Sequence, residues 1–281
     1  MSTTELVALK KAYPEVSMRS FARLVGVAYW KLRDFIRSQH KQQERAKRQA
    51  MLKAQVKRVA LQHSTYGYRN IYLELRDRGV TIGLHKVRKL LAELQLNPPP
   101  VRKRRAKPKV TPVKHWPAGR RIQIDATNVK LAKGSAWVYI VQDVSSRACL
   151  AIKVVEALSM HKAKQTFEEA VCTLRKQGVS ENLVIQSDGG SDFTSNLFQA
   201  TCSKLGQWIR AKVNQKGGMG ILERLNRTFK HDYCFRRNPE TLSQLHEITV
   251  GFKHWYNQVR KHTSIGFKTP WSVLNNEAIL S

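Results

Sequence analysis

Three acidic residues stand out in a strongly basic chain: Asp125, Asp188 and Glu223. The 281 residues include 50 Lys and Arg against 20 Asp and Glu, a formal net charge of +30. Asp125 sits in Gln123-Ile-Asp-Ala-Thr-Asn-Val129, which otherwise reads as a buried strand. A carboxylate buried there costs several kcal/mol unless it is paired or metal-bound. Asp188 follows a second strand-like run, 182 to 186, and precedes Gly189-Gly190, at the strand end where α/β sheets present functional groups. Glu223 follows the glycine-rich Lys216-Gly-Gly-Met-Gly220. Its segment places Leu222, Leu225, Phe229 and Tyr233 at helical spacing and turns Glu223, Asn226, Arg227 and Lys230 to the other face. If the strand before Asp188 pairs parallel to that of Asp125, both face one crevice, to which the helix adds Glu223. Such a trio suits two Mg2+ ions.

Each acid also has a plainer reading. Glu223 and Arg227 are spaced i,i+4 and would form a weak ion pair on a solvated face. Asp143 competes for the site, since a hairpin centred near Gly134 lets it lie opposite Asp125. Its neighbours Ser145, Ser146 and Arg147 point instead to a turn-capping or salt-bridged role. Asp192 precedes a helix expected from Phe193 and reads as its N-cap. His161 and His231 lack a second histidine at metal-ligand spacing and read as surface or satisfied core residues.

The charge excess, with a pI near 10.4, calls for a polyanionic partner, because phosphate neutralisation releases condensed counterions. A ribosomal-type or anionic-membrane binder would share it, but neither needs the carboxylate pattern. Cys149, Cys172, Cys202 and Cys234 contain no Cys-x-x-Cys pair, which disfavours a zinc ribbon and fits reduced, mostly buried thiols. The first residues carry an acid ahead of the bases and too short an apolar run for a signal peptide. No apolar run approaches the roughly 18 residues that span a bilayer. The expectation is a soluble cytoplasmic protein, associated with the nucleoid in a bacterium.

The elements that must position these residues change character along the chain. Residues 1–62 read as a helix-turn-helix followed by a basic helix. Ser17 caps a helix with Phe21 and Leu24, Gly26 turns the chain, and a second helix from about Ala28 to Ile36 displays Tyr29, Lys31, Arg33 and Arg37 to DNA. Residues 63–96 form a second helix-turn-helix, with apolar Ile71, Leu73 and Leu75, then Leu84, Val87, Leu90, Leu91 and Leu94 about a turn at Gly79 to Gly83. Arg69 on the first helix and His85, Lys86, Arg88 and Lys89 on the second are the candidate DNA contacts. Residues 97–117 are a basic, proline-rich linker in which Arg102, Lys103, Arg104 and Arg105 could track a DNA backbone. From 118 to 235, three antiparallel strands precede alternating helices and strands, the order of an RNase H-like α/β domain. Residues 236–281 are a helical extension. The fold class is therefore a mixed-sheet α/β core preceded by an all-α helix-turn-helix region.

Ile-Asp125-Ala-Thr, Gln-Ser-Asp188-Gly-Gly and Leu-Glu223-Arg-Leu-Asn-Arg-Thr-Phe-Lys230, in this order, resemble the integrase catalytic core of DDE transposases and retroviral integrases. Tyr66-Gly-Tyr-Arg69 upstream, with Tyr256-Asn-Gln-Val-Arg-Lys-His262 and Thr269-Pro270 downstream, narrows the resemblance to the OrfB-type protein of the insertion-sequence-three family. It extends over nearly the whole chain. The resemblance implies Asp125, Asp188 and Glu223 as catalytic ligands of two Mg2+ ions, with Mn2+ as a substitute, and Lys230 as a contact to terminal DNA, with Arg227 beside it. It further implies cleavage and strand transfer without a covalent protein intermediate, on double-stranded DNA comprising the element's terminal inverted repeats and a target. The expected partners are further copies of the chain, in a dimer or larger assembly, and an upstream-frame protein or fusion. A nuclease or resolvase that never joins strands, and a non-catalytic DNA-binding regulator, are the alternatives. The 34 residues between Asp188 and Glu223 are one fewer than the family spacing, and the loop before Glu223 lacks the family's asparagine-bearing form.

Overall fold

The computed structural model describes residues 3–97, 116–132, 134–179, 182–211 and 219–278. It divides into two compact units, Met1–Val101 and Arg102–Ser281. Among the described residues, no helix is long and apolar enough to cross a membrane.

The first unit is all helical: α1 (Thr3–Ala12), α2 (Met18–Leu24), α3 (Tyr29–Gln62), α4 (Tyr68–Asp77) and α5 (Leu84–Glu93). Ser17 caps α2 by accepting from Ser20 N at 3.2 Å, and Gly26 turns the chain at φ +67°. Leu6, Phe21, Ala22 and Leu32 close a small core there. The helix expected to stop near Ile36 instead runs unbroken for 34 residues, because no Gly or Pro interrupts it between Val27 and Tyr66. At 1.5 Å per residue α3 is about 50 Å long. Its last turns bury Val56, Val59 and Ala60, while α4 buries Ile71 and Leu75 and α5 buries Val87, Leu90 and Leu91. Leu73 is only half-buried: on a helix the buried face returns at i+4, from Ile71 to Leu75, and skips the residue between them.

The second unit is built on a five-stranded sheet in the order β3-β2-β1-β4-β5. Its strands are β1 (Arg121–Lys130), β2 (Ser135–Asp143), β3 (Cys149–Val155), β4 (Leu183–Ser187) and β5 (Gly206–Arg210). The first three form an antiparallel meander, and β4 and β5 extend it with parallel pairing beside β1. Helices α6 (Met160–Arg175) and α7 (Asn196–Ser203) cover one face, burying Ile122, Ile124, Phe167 and Phe198. The other face packs Val129, Val138 and Ile140 against Leu222, Leu225, Phe229 and Phe252. These come from α8 (Gly220–Arg227), its π-helical continuation Thr228–Cys234, and α9 (Leu242–His254). The apolar stripe of Leu222, Leu225, Phe229 and Tyr233 is buried throughout. After α9 come a π-helical turn Trp255–Val259 and α10 (Pro270–Ala278).

The downstream Tyr256-Asn motif has a packing role. Asn257 accepts from Cys149 N at 2.8 Å and donates to Cys149 O at 2.9 Å, completing the outer edge of β3. Buried Tyr256 takes a hydrogen bond from Gln142 Nε2 at 3.2 Å. Cys149, Cys202 and Cys234 are buried free thiols, and Cys172 is an exposed one.

Candidate active site

The parallel pairing of β1 and β4 sets Ile124 against Ser187, so the next step of the register brings Asp125 beside Asp188. Residues paired across a parallel ladder share a face of the sheet. For Asp125 this is the face covered by α8, whose first turn carries Glu223. Helix α8 is tied down at two points: Leu222 N donates to Gln123 Oε1 at 3.2 Å, and Asn226 Nδ2 donates to Asp125 Oδ2 at 2.8 Å. The other oxygen of Asp125 accepts from Ala126 N at 2.8 Å. Burial, then the negative charge of Asp188, push the Asp125 carboxyl up to about 6. The two hydrogen bonds oppose that shift, and Glu223 adds a smaller push upward. Asp125 therefore feels the charge of both other acids.

Asp188 and Glu223 are exposed at the crevice mouth. Asp188 Oδ1 accepts from Gly190 N at 3.0 Å. A Cβ on Gly190 would stand 2.7 Å from Asp192 Oδ1 and 3.2 Å from Asp188 Oδ1, so only glycine fits between those acids without displacing them. Lys230 lies in the π-helical continuation and is half-buried. Burial lowers its pKa, and the charge of Asp125 opposes that shift. Arg227 is exposed on the last turn of α8. No ion pair joins it to Glu223 among the described residues, so the plainer reading of Glu223 as half of a surface salt bridge is not what forms.

The two competing aspartates have other partners. The hairpin register pairs Asp125 with Ile140 and Asp143 with Ile122, so Asp143 is not opposite Asp125: the hairpin centre falls before Gly134. Asp143 is fully buried and accepts from Ser146 N (2.7 Å), Ser146 Oγ (2.6 Å) and Gly119 N (3.0 Å), capping the β2–β3 turn and tying it to the chain that enters β1. Asp192 is not a helix N-cap. Helix α7 starts at Asn196 under Ser195, and the buried Asp192 carboxylate accepts from Tyr139 Oη at 2.6 Å. That bond fastens the loop after Asp188 to β2.

Two residues that sequence reasoning did not single out matter here. Asn226 was legible only as one polar residue on the face of Glu223, yet it is buried against Asp125. Gln123 lies two residues before Asp125 on the same face, and its alternation with Asp125 was the signal available.

The donor set fits Mg2+ or Mn2+, since it offers carboxylate oxygens and no thiol or imidazole. Among the described residues, no three acids, cysteines or histidines stand as close together as in a formed metal centre. The fit rests on the shared crevice and on the raised Asp125 pKa, which a neighbouring cation would reverse.

In the helical unit, His85, Lys86, Arg88 and Lys89 are exposed on α5, and Arg69 is exposed on α4. Arg69 and Arg88 both lie 5.9 Å from the ring of Tyr68. On α3, Tyr29 has the Arg19 guanidinium 5.7 Å above its ring, Lys31 is exposed beside Trp30, and Arg33 is paired with Asp34 at 3.2 Å. Arg102, Lys103, Arg104 and Arg105 lie outside the described residues.

Comparison with known proteins agrees with this architecture. Residues 46–105 match the HTH-like domain, and residues 117–216 and 207–270 match two integrase core domain families. The insertion element IS600 uncharacterized 31 kDa protein of Shigella sonnei is 24% identical over 258 residues, spanning 83% of this chain and 90% of that protein. The transposase for insertion sequence element IS904 of Lactococcus lactis subsp. lactis (strain IL1403) is 23% identical, over 52% of this chain and 57% of its own length. Among solved structures, a simian T-cell lymphotropic virus intasome in complex with PP2A regulatory subunit B56 gamma shares the fold. It has a TM-score of 0.50 and 17% identity, and the match covers 77% of this chain and 74% of that one. An HTH-like domain, an integrase core and relatives from insertion elements together support a DNA transposase, and the same matches are consistent with the OrfB-type proteins of the insertion-sequence-three family.

Proposed function

We propose that Asp125, Asp188 and Glu223 are the catalytic carboxylates of this transposase, and that it cleaves the ends of its own insertion sequence and joins them to a target. The observation that carries this reading is the β1–β4 register. It brings Asp188 beside Asp125 under a helix whose first turn adds Glu223. Asp125, Asp188 and Glu223 would hold two Mg2+ ions, or Mn2+ in their place, whose chemistry when bound would be activation of a water or DNA 3′-OH and charge neutralisation at the leaving oxygen.

The protein's own groups do the rest. Asn226 and Ala126 N hold the two oxygens of Asp125 in fixed directions. Lys230, at the inner side of the crevice, offers a charge to a scissile-strand phosphate, and exposed Arg227 offers a second one nearer solvent. In the helical unit, α5 presents His85, Lys86, Arg88 and Lys89 to the terminal DNA, and Arg69 approaches from α4. Tyr29, Lys31 and Arg33 begin α3 and make a second contact surface, and Arg102 to Arg105 follow the DNA backbone. Two ends processed together require at least two protomers, so the active form is a dimer or larger on DNA, and an upstream-frame protein or fusion is a further partner.

Glu223→Gln tests the assignment. It keeps the size of the side chain and removes its charge, so labelled element ends should still be bound while Mg2+-dependent cleavage and joining disappear. Wild-type joining by this variant would refute the assignment. Wild-type protein that cuts ends without ever joining them would identify a nuclease.

A further inference from the structure

Ahead of Asp125, the same face of β1 carries two polar side chains at alternate positions, Arg121 and Gln123. Gln123 is 2% exposed and stands opposite Gln186 of β4 in the parallel register. Gln123 Nε2 donates to Gln186 Oε1 at 3.1 Å, and Arg121 Nη2 donates to the same oxygen at 2.9 Å. Gln123 Oε1 in turn accepts from Leu222 N at 3.2 Å. Met219, the cap residue of α8, makes no side-chain capping bond, so this distant glutamine satisfies a backbone donor of the helix's first turn.

We propose that Gln123 and Gln186 are positioning residues that set the mutual placement of the three carboxylates, an inference that rests on the catalytic reading of those acids. Gln123 is two residues before Asp125, Gln186 is two residues before Asp188, and Leu222 immediately precedes Glu223. Each carboxylate is therefore carried by backbone within two residues of one shared hydrogen-bonded unit. That unit crosslinks β1, β4 and α8, the elements that supply the site. Further along the same face the sheet is apolar, with Val129, Val138 and Ile140. Packing alone would be served equally well by aliphatic residues at positions 123 and 186. The backbone ladder fixes β1 against β4, and the buried amides fix α8 against both, where interchangeable apolar contacts would leave the helix free to slide.

The test uses the full chain with Gln123→Met, Gln186→Met and Gln186→Glu. Methionine keeps the bulk and removes the bonds. The Gln186→Glu side chain can still accept from both Gln123 Nε2 and Arg121. Melting midpoint and binding of labelled element ends are measured first, followed by Mn2+ titration of the DNA-free chain, exchange of the Leu222 amide proton, and end cleavage. The expectation is near-normal end binding in all three variants. Both methionine variants should need about tenfold more Mn2+ for half-saturation and lose cleavage in step. Leu222 exchange should be faster in Gln123→Met, and Gln186→Glu should restore wild-type saturation. If Gln123→Met is too unstable to measure, Gln186→Glu against Gln186→Met carries the comparison; if Gln186→Met is, Mn2+ saturation and Leu222 exchange in a Gln123→Leu chain carry it. Unchanged Mn2+ saturation in the methionine variants, with Glu223→Gln inactive, overturns the positioning role and leaves the catalytic assignment standing. Equal loss in Gln186→Met and Gln186→Glu also overturns it. If Glu223→Gln binds Mn2+ and joins DNA like wild type, the catalytic reading fails and this proposal falls with it.

Discussion

Replacing Asn226 with leucine isolates the electrostatic control of Asp125. The amide donates to Asp125 Oδ2 at 2.8 Å, while its own Oδ1 is buried without a hydrogen-bond partner. A hydrogen bond to a charged acceptor contributes about 1.5–3 kcal/mol, and an unsatisfied buried acceptor costs about 1–3 kcal/mol. Leucine removes both at similar volume, so the two effects offset and the melting midpoint should move by only a few degrees. The carboxylate has no such offset. Losing about 1.5–3 kcal/mol of preference for the ionised form raises a pKa by about 1–2 units at about 1.4 kcal/mol per unit. Asp125 starts at about 6 and should then titrate at about 7–8, so that it is half or more protonated at neutral pH. Carboxyl-detected NMR of the metal-free chain measures this directly. The acidic limb of the cleavage profile at limiting metal should move upward with it, and activity should recover as pH is raised. An unshifted Asp125 titration, or a loss of activity that higher pH does not recover, would refute the reasoning.

Gly190→Ala should reduce end cleavage strongly with little effect on end binding, because its Cβ would crowd the carboxylates of Asp188 and Asp192, and paired binding and cleavage assays check this. Asp143→Asn should lower stability by about 1–3 kcal/mol by weakening a buried turn cap, yet retain cleavage at permissive temperature, and complete loss of activity in folded protein would restore Asp143 as a candidate ligand. The metal-free protein should become less stable as pH rises from about 4 to about 6. Burial raises the pKa of both Asp125 and Asp143 to about 6, so the folded state holds protons that the unfolded chain has released, and denaturant melts across that window measure the slope. Replacing Lys86 and Lys89 together with alanine should weaken end binding and reduce its log-log salt slope by about 2 if both contact phosphates.

Much of this protein is determined by residue order alone. Period-two runs separated by turns, then alternating helices and strands, specify a meander continued by parallel strands, because hydrophobic alternation dictates which face each strand buries. Asp125 was legible as an acid in a buried strand, Asp188 as a strand-end acid, and Glu223 as the acid on an amphipathic helix. Their relative placement was legible only as a condition, parallel pairing of the two aspartate strands, which the β1–β4 register meets. Whether Asp143 or Ile140 opposes Asp125 depends on where a hairpin closes, and a shift of a few residues around Gly134 changes the answer. Asp192 read as a cap because helix starts are local signals, whereas its bond to Tyr139 joins residues 53 apart in sequence. Gln123 and Asn226 acquire roles only when α8 lies across β1, 99 and 101 residues away along the chain. Local sequence carries propensity and pattern. Desolvation, charge proximity and hydrogen-bond partnership arise between distant segments, and the tertiary structure alone decided which polar residues became the supports of the three acids.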